Sequence, residues 1–346
     1  MILTLVIILI KAEKISLRLT LPFFVVYLSL KRIITKRRKP RTFLQYCLCR
    51  SGSGGMEVIM AKKKSILDLH KMKQNKEKAT WVTAYDFPMA SFAEQAEINM
   101  ILVGDSLGMV VLGYDGTIAV TMDECIHHCK AVRRGAPNTF VIGDMPFGSY
   151  QATIGEAVNN AVRFLKEANC DAIKLEGGVR VADKIRAISD SGIVVFGHIG
   201  LTPQSSGQLG GFKAQGLYVD SARKVIKDAI AVQEAGALAI LLEGIPPELT
   251  KFIAETLTIP VYGIGAGEPC DGQVLVCGDM LGMFQNFTPK FAKKYANLAE
   301  IVIDAFKEFA NEVKSSQFPD DEKYVYHIKD SLEDFNNLFK EFDNFK

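Results

Sequence analysis

The chain has 346 residues, 48% of them hydrophobic and 23% charged, enough to bury one large core or two ordinary ones. Its formal net charge of +2 conceals an asymmetry: residues 1–60 carry eleven Lys/Arg against two Glu, leaving 30 Lys/Arg against 37 Asp/Glu in the rest. An acidic body lacks the basic face that neutralises phosphate, which excludes nucleic acid as its partner.

Residues 1–10 and 21–30 are apolar, but Lys11, Glu13, Lys14 and Arg18 separate them. Neither run reaches the ~18–20 residues a spanning helix needs. No positive charge precedes the first run and no small-residue cleavage site follows it, so a secretory signal is not indicated. Lys31 to Arg41 is basic enough to attract an anionic membrane surface. The alternative is that residues 1–59 are not native. Met60-Ala61-Lys62-Lys63-Lys64-Ser65 reads as an ordinary cytosolic start, followed at once by helical spacing at Ile66, Leu67, Leu69 and Met72. Ser53-Gly54-Gly55 can be encoded by a purine-rich run of the kind that precedes a bacterial start codon. We expect translation to begin at Met60, or failing that at Met56.

From Ala79 onward, short apolar runs alternate with helical patterns. The predicted strands are Trp81–Ala84, Met100–Gly104, Phe140–Asp144, Ala172–Glu176, Ile193–His198, Leu238–Glu243, Val261–Gly265 and Gln273–Val276. Helix periodicity fills the intervals, for example over Glu156–Ala168, Ala182–Asp190, Ala222–Ala235 and Glu248–Thr256. Fully apolar strands between helices indicate a parallel sheet covered by helices, and eight such units match a closed (β/α)8 barrel, an α/β fold of the TIM type. A doubly wound sheet would bind a dinucleotide at its first strand–helix turn. The glycine-rich candidate, Gly263-Ile264-Gly265-Ala266-Gly267, falls after the seventh strand and reads as a tight turn where backbone approaches something bound. The barrel is expected over 60–319. A partly helical tail follows over 320–346, with an apolar stripe (Leu332, Phe335, Leu338, Phe339, Phe342) suited to docking on the barrel or on a neighbouring subunit.

Seven scattered cysteines show no disulfide framework, which fits a reducing compartment. Cys125-Ile126-His127-His128-Cys129 has spacing for zinc on a helix, but no second Cys/His cluster completes four ligands. The helix Met122–Arg133 is therefore read as packed, with its cysteines acting as small hydrophobes.

Four acids close apolar runs: Asp105, Asp144, Glu176 and Glu243. Each alone is readily a helix cap or salt-bridge partner, and Asp144, two residues before Pro146, could fix a turn. Together they fall at the C-terminal ends of barrel strands, where such barrels carry their active sites. Lys174 and Glu176, two apart on one strand, point to the same face and must pair or bind something there. Three carboxylates, water and a substrate oxygen suit a hard octahedral cation, magnesium above others. A metal between a carboxylate and a keto oxygen would favour an enolate, Lys174 would add positive charge at that oxygen, and Glu243 would take the proton alpha to the carbonyl.

At these residues a family becomes visible. Thr83-Ala84-Tyr85-Asp86, Val103-Gly104-Asp105-Ser106-Leu107-Gly108-Met109, Ala131-Val132-Arg133-Arg134-Gly135-Ala136-Pro137 and Lys174-Leu175-Glu176-Gly177-Gly178 resemble the 3-methyl-2-oxobutanoate (ketopantoate) hydroxymethyltransferases. Gly197-His198-Ile199-Gly200-Leu201-Thr202-Pro203-Gln204, Gly265-Ala266-Gly267 and Asp271-Gly272-Gln273 continue the resemblance, which runs from about Ser65 to Pro319. It implies a barrel of the phosphoenolpyruvate/pyruvate type that moves a one-carbon unit from 5,10-methylenetetrahydrofolate to 3-methyl-2-oxobutanoate, giving 2-dehydropantoate for pantothenate and coenzyme A. It implies further that Asp105, Asp144 and Glu176 hold Mg2+, that Asp105, Ser106, Asp144 and Lys174 contact the oxo acid, and that Glu243 accepts the proton. A cytoplasmic homo-oligomer, commonly a decamer, is implied too.

His198 ends the fifth predicted strand and is either a substrate contact or a satisfied core histidine. The segment from Thr202-Pro203-Gln204-Ser205 to Gly210-Gly211-Phe212-Lys213 is loop-like and is assigned to gating. Two alternatives remain. A carbon–carbon lyase or phosphonomutase of the same superfamily would carry a Lys-Lys-Cys-Gly-His loop, which is absent. A non-catalytic scaffold would be expected to lose some of the acids, and all are present.

Overall fold

The computed structural model describes residues 47–50, 56–59, 63–320 and 322–345. The expected start at Met60 and the apolar and basic stretches before residue 47 lie outside the described residues. Cys47–Arg50 pairs antiparallel with Met56–Ile59.

Eight parallel strands then close in chain order into one barrel. They are β1 (Ala79–Thr83), β2 (Met100–Val103), β3 (Phe140–Asp144), β4 (Ala172–Glu176), β5 (Val195–Gly200), β6 (Ala239–Glu243), β7 (Val261–Ile264) and β8 (Gly272–Leu275). Closure brings Val274 of β8 beside Trp81 of β1. β1 begins two residues before its predicted start because Gly272 admits Ala79, whose carbonyl oxygen would sit 2.2 Å from a Cβ on Gly272. β5 lies two residues later than predicted. Ile199 extends its buried alternation, and Gly200, at φ +91°, ends the strand against the carbonyl of Glu243.

Side chains alternate between two cores. Inside the barrel, Trp81, Met100, Phe140, Phe196 and Tyr262 interlock, with Trp81 edge-on to Phe196 at 5.7 Å and to Tyr262 at 5.6 Å. Helix Ile66–Gln74, started by a Ser65/Asp68 capping box, seals the base by burying Leu69 among them. Outside, helices cover the strands. Ile154–Ala168 starts at the Thr153 cap and buries Ala157, Ala161, Phe164 and Ala168, a spacing of four, three and four that keeps one face inward. Phe164 lies so close to β3 that a Cβ on Gly143 would come within 2.3 Å of its ring.

The helix Met122–Gly135 buries Cys125 and Cys129 in this outer core, so the cysteines of the Cys/His motif serve packing. The C-terminal helices Leu298–Lys314 and Leu332–Glu341 bury no residue. The apolar stripe of the tail therefore does not dock on its own barrel; Leu332, Leu338, Phe339 and Phe342 stay exposed.

Candidate active site

The inward-facing positions turn from apolar to polar toward the C-terminal end of the strands. β3 reads Phe140, Ile142, Asp144; β4 reads Ala172, Lys174, Glu176; β5 reads Phe196, His198; β6 reads Ala239, Leu241, Glu243. Strand register then sets the neighbours: Asp144 lies beside Lys174, and Glu176 beside His198. Asp105 follows β2 and reaches the same place through its backbone N–H, which donates to Asp144 Oδ2 at 2.9 Å. All the expected site residues except Ser106 and Glu243 are buried, and all of them line one cavity.

Lys174 Nζ stands 2.9 Å from Asp144 Oδ1 and 3.5 Å from Glu176 Oε1. His198 bridges two acids: Nδ1 lies 3.2 Å from Glu176 Oε1 and Nε2 lies 3.1 Å from Glu243 Oε2. The Lys174–Asp144 and His198–Glu243 contacts are ionic rather than aligned hydrogen bonds, since Asp144 Oδ1 and His198 Nε2 have no hydrogen-bond partner. His198 thus joins the site as the group that holds Glu243, resolving the choice left open by the sequence toward neither a free substrate ligand nor an inert core residue.

Burial and the nearby Asp144 and Glu176 hold the Asp105 carboxyl well above its ordinary range, with Lys174 and Gln204 opposing. Burial also raises Asp144, against Lys174. Burial would raise Glu176 as well, but Lys174 and His198 outweigh it and the net direction is down. Burial pulls the Lys174 ammonium toward neutrality, and the three acids reverse this. For His198, burial and Lys174 push down, but Glu176 and Glu243 prevail and raise the imidazole to about 9. The site is an excess of negative charge: four carboxylates face two cations.

Among the described residues, no three His, Cys, Asp or Glu side chains are arranged to hold a metal ion. Lys174 acts as the counter-cation between Asp144 and Glu176. The donor set, three carboxylates each oriented through one oxygen, is nevertheless of the kind a hard divalent cation takes. Asp105 Oδ2 accepts from Gln204 Nε2 at 2.9 Å, Asp144 Oδ2 from the Asp105 N–H, and Glu176 Oε2 from the Gln204 N–H at 3.0 Å. Of the other oxygens, Asp144 Oδ1 and Glu176 Oε1 face Lys174, and Glu176 Oε1 also faces His198, so a cation bound among the acids would share them with Lys174.

Gln204 is the residue that sequence reasoning missed. It is 3% exposed, and its amide also donates to the Met145 carbonyl at 2.9 Å while its Oε1 accepts from Tyr150 Oη at 2.6 Å. The Thr202–Lys213 segment is thus not simply a loop. It begins as the turns Pro203–Ser205 and Ser206–Leu209, pinned through Gln204 to two of the three acids. Tyr85 was missed as well; its hydroxyl shares a 2.8 Å hydrogen bond with Ser106 Oγ. Both stand inside family-like motifs, so their presence was visible and their geometry was not. Other motif residues serve the frame. Asp86 caps Phe87–Gln95 by accepting from Met89 N–H at 2.8 Å. Arg133 binds the carbonyls of Asn169, Ala136 and Thr139 and pairs with Asp171 at 2.5 Å. Gly265 and Gly267 admit Phe291 and Pro247 of the same chain.

A sequence profile described as ketopantoate hydroxymethyltransferase matches residues 63–321. A 3-methyl-2-oxobutanoate hydroxymethyltransferase of Alkaliphilus metalliredigens is 70% identical over 283 residues, covering 82% of this chain and 100% of that protein. Another, of Heliobacterium modesticaldum, is 51% identical over 260 residues, covering 75% of this chain and 94% of that one. Among solved structures, a phosphoenolpyruvate phosphomutase from Streptomyces platensis subsp. rosaceus superposes with a TM-score of 0.51 at 15% identity, covering 81% of this chain and 98% of the other. A phosphonopyruvate hydrolase does so at 0.50 and 13%, covering 82% and 100%. At that identity the likeness is one of fold.

Proposed function

The chain belongs to the ketopantoate hydroxymethyltransferase family, and on that premise we propose that it transfers a one-carbon unit from 5,10-methylenetetrahydrofolate to 3-methyl-2-oxobutanoate, forming 2-dehydropantoate. The observation that carries this reading is the line Lys174–Glu176–His198–Glu243, which sets the Glu243 carboxylate on the same cavity as a buried lysine at the barrel mouth. Magnesium, held by Asp105, Asp144 and Glu176, would supply Lewis acidity toward the keto oxygen.

The chain's own groups do the rest. The Ser106 hydroxyl, oriented by Tyr85, receives the oxo acid beside Asp105 and Asp144, and Lys174 faces its oxygen as negative charge grows there. Glu243, partly open to the cavity and steered by His198, takes the proton from C3. The resulting carbon nucleophile meets the one-carbon unit in the same cavity. The net reaction forms a C–C bond at C3, water supplies the hydroxyl, and tetrahydrofolate leaves.

In this reading the catalytic unit is 60–319 and works in the cytoplasm as a homo-oligomer; no helix among the described residues is long and apolar enough to cross a membrane. The test is product formation followed by NMR with both substrates. Transfer should require a divalent metal, disappear with EDTA and return with magnesium. Undiminished transfer in EDTA, after exhaustive metal removal, would contradict the metal assignment, and no transfer with any divalent metal would contradict the activity.

A further inference from the structure

The cavity above the barrel, about 850 Å3, exceeds what a five-carbon oxo acid requires and falls in the range that encloses a drug-sized ligand. The acids, Lys174 and His198 line part of it. Val110, Phe284 and Phe287 add an apolar stretch of the lining. Into the cavity opens Asp279, from the short helix Cys277–Met280 that follows β8. This turn lies against the same apolar residues: a Cβ on Gly278 would be in ordinary contact with Phe284 Cβ at 3.5 Å and Val110 Cβ at 3.7 Å.

Asp279 is 6% exposed, and among the described residues its carboxylate accepts no hydrogen bond and forms no ion pair. Lys294 lies near enough to favour its charge but not to pair with it, and burial, the larger effect, lifts the carboxyl to about 6. On the same cavity lining, Thr117 Oγ1 is also buried without a partner. The segment carrying it packs on Gly108, two residues before Val110. A largely buried carboxylate that opens only on the cavity, with no donor from the chain, is a group that a ligand entering the cavity would complete. None of the oxo-acid chemistry uses Asp279.

The missing partner must offer N–H donors to a carboxylate and apolar faces to Val110 and the two phenylalanines. A flat heterocycle with two adjacent N–H groups meets both demands, because a carboxylate accepts a parallel pair of hydrogen bonds and ring faces pack on aromatic walls. The 2-amino-4-oxopyrimidine ring of a reduced pterin presents that edge through N3–H and its 2-amino group. We propose that Asp279 anchors the pterin ring of the folate co-substrate beside the apolar lining of Val110 and Phe284, accepting hydrogen bonds from N3–H and the 2-amino group. This rests on the folate-dependent reading above and adds the residue that recognises the folate.

The test is calorimetric titration of the full chain with tetrahydrofolate and with its 2-desamino analogue, at saturating magnesium and 3-methyl-2-oxobutanoate, for wild type, Asp279→Asn and Asp279→Ala. Hydrogen bonds to a charged acceptor lead us to expect tetrahydrofolate binding weakened roughly 10- to 100-fold in Asp279→Asn. Wild type should disfavour the 2-desamino analogue, and Asp279→Asn should not distinguish the two ligands. The Kd of 3-methyl-2-oxobutanoate alone should stay within about twofold, a split that general damage to the fold would not produce. Equal tetrahydrofolate affinity in wild type and Asp279→Asn, or equal discrimination against the analogue in both, overturns the assignment while leaving the folate reading intact. A wild type that binds no tetrahydrofolate overturns the folate reading itself, and the pterin anchor with it. If Asp279→Ala does not fold, the near-isosteric Asp279→Asn decides.

Discussion

Glu243 and His198, 3.1 Å apart at the ends of adjoining strands, form the pair on which the proposed proton chemistry turns. Glu243→Gln keeps the shape and removes the base, so turnover should fall about 10²- to 10⁴-fold with oxo-acid affinity preserved; near-wild-type turnover would remove Glu243 from that role. His198 has a consequence for stability. Its imidazole is raised from 6.5 to about 9, so the folded state holds a proton that the unfolded state releases. The stabilisation is complete below pH 6.5 and is lost as pH rises through 9, a change of about 3 kcal/mol. Urea denaturation of metal-free protein should register this slope, and His198→Asn should flatten it; an unchanged slope would show that other groups titrate instead. At this scale the acids were legible from sequence, because burying a carboxylate at the end of an apolar strand is costly unless a partner or ligand meets it there. Gln204 was not, because an uncharged amide matters only through the four groups it happens to touch.

Elements explain how one amide gains that reach. β2, β3 and β4 each present an acid at one level, and the turn Pro203–Ser205 after β5 lays Gln204 across them, to Asp105 by its side chain and to Glu176 by its backbone. The segment assigned to gating is thereby tied to the proposed metal ligands. Gln204→Leu should weaken Mn2+ binding, read by electron paramagnetic resonance, roughly 10- to 100-fold, the usual consequence of losing an outer partner of a ligand. Hydrogen exchange over residues 202–213 should rise in the same variant. Unchanged metal affinity would show that the turn only packs. Strand order and number followed from apolar runs and glycine punctuation, yet strand ends moved by up to two residues. Those ends are decided by contacts between distant segments, such as Gly272 against Ala79, that periodicity does not contain.

Across the whole molecule, the barrel buries its strands on both faces while the C-terminal helices bury nothing. Ile301, Phe306 and Phe309 on Leu298–Lys314, and Leu332 and Phe339 on Leu332–Glu341, are all exposed. Faces of this kind are associated with protein contacts, and the expected homo-oligomer would cover them with further copies. Light scattering at micromolar concentration should return a mass of several chains, reduced by Phe306→Glu; a wild-type monomer would contradict this. At the barrel mouth, three acids, Lys174 and the His198–Glu243 pair are proposed to make a 2-oxo acid surrender its C3 proton. The direct measurement is exchange of that proton with deuterated water, followed by NMR with magnesium present and folate absent. Wild type should exchange it readily and Glu243→Gln should slow exchange about 10²-fold or more. Exchange no faster than in buffer, from a wild-type protein that transfers the one-carbon unit at full rate, would contradict the account.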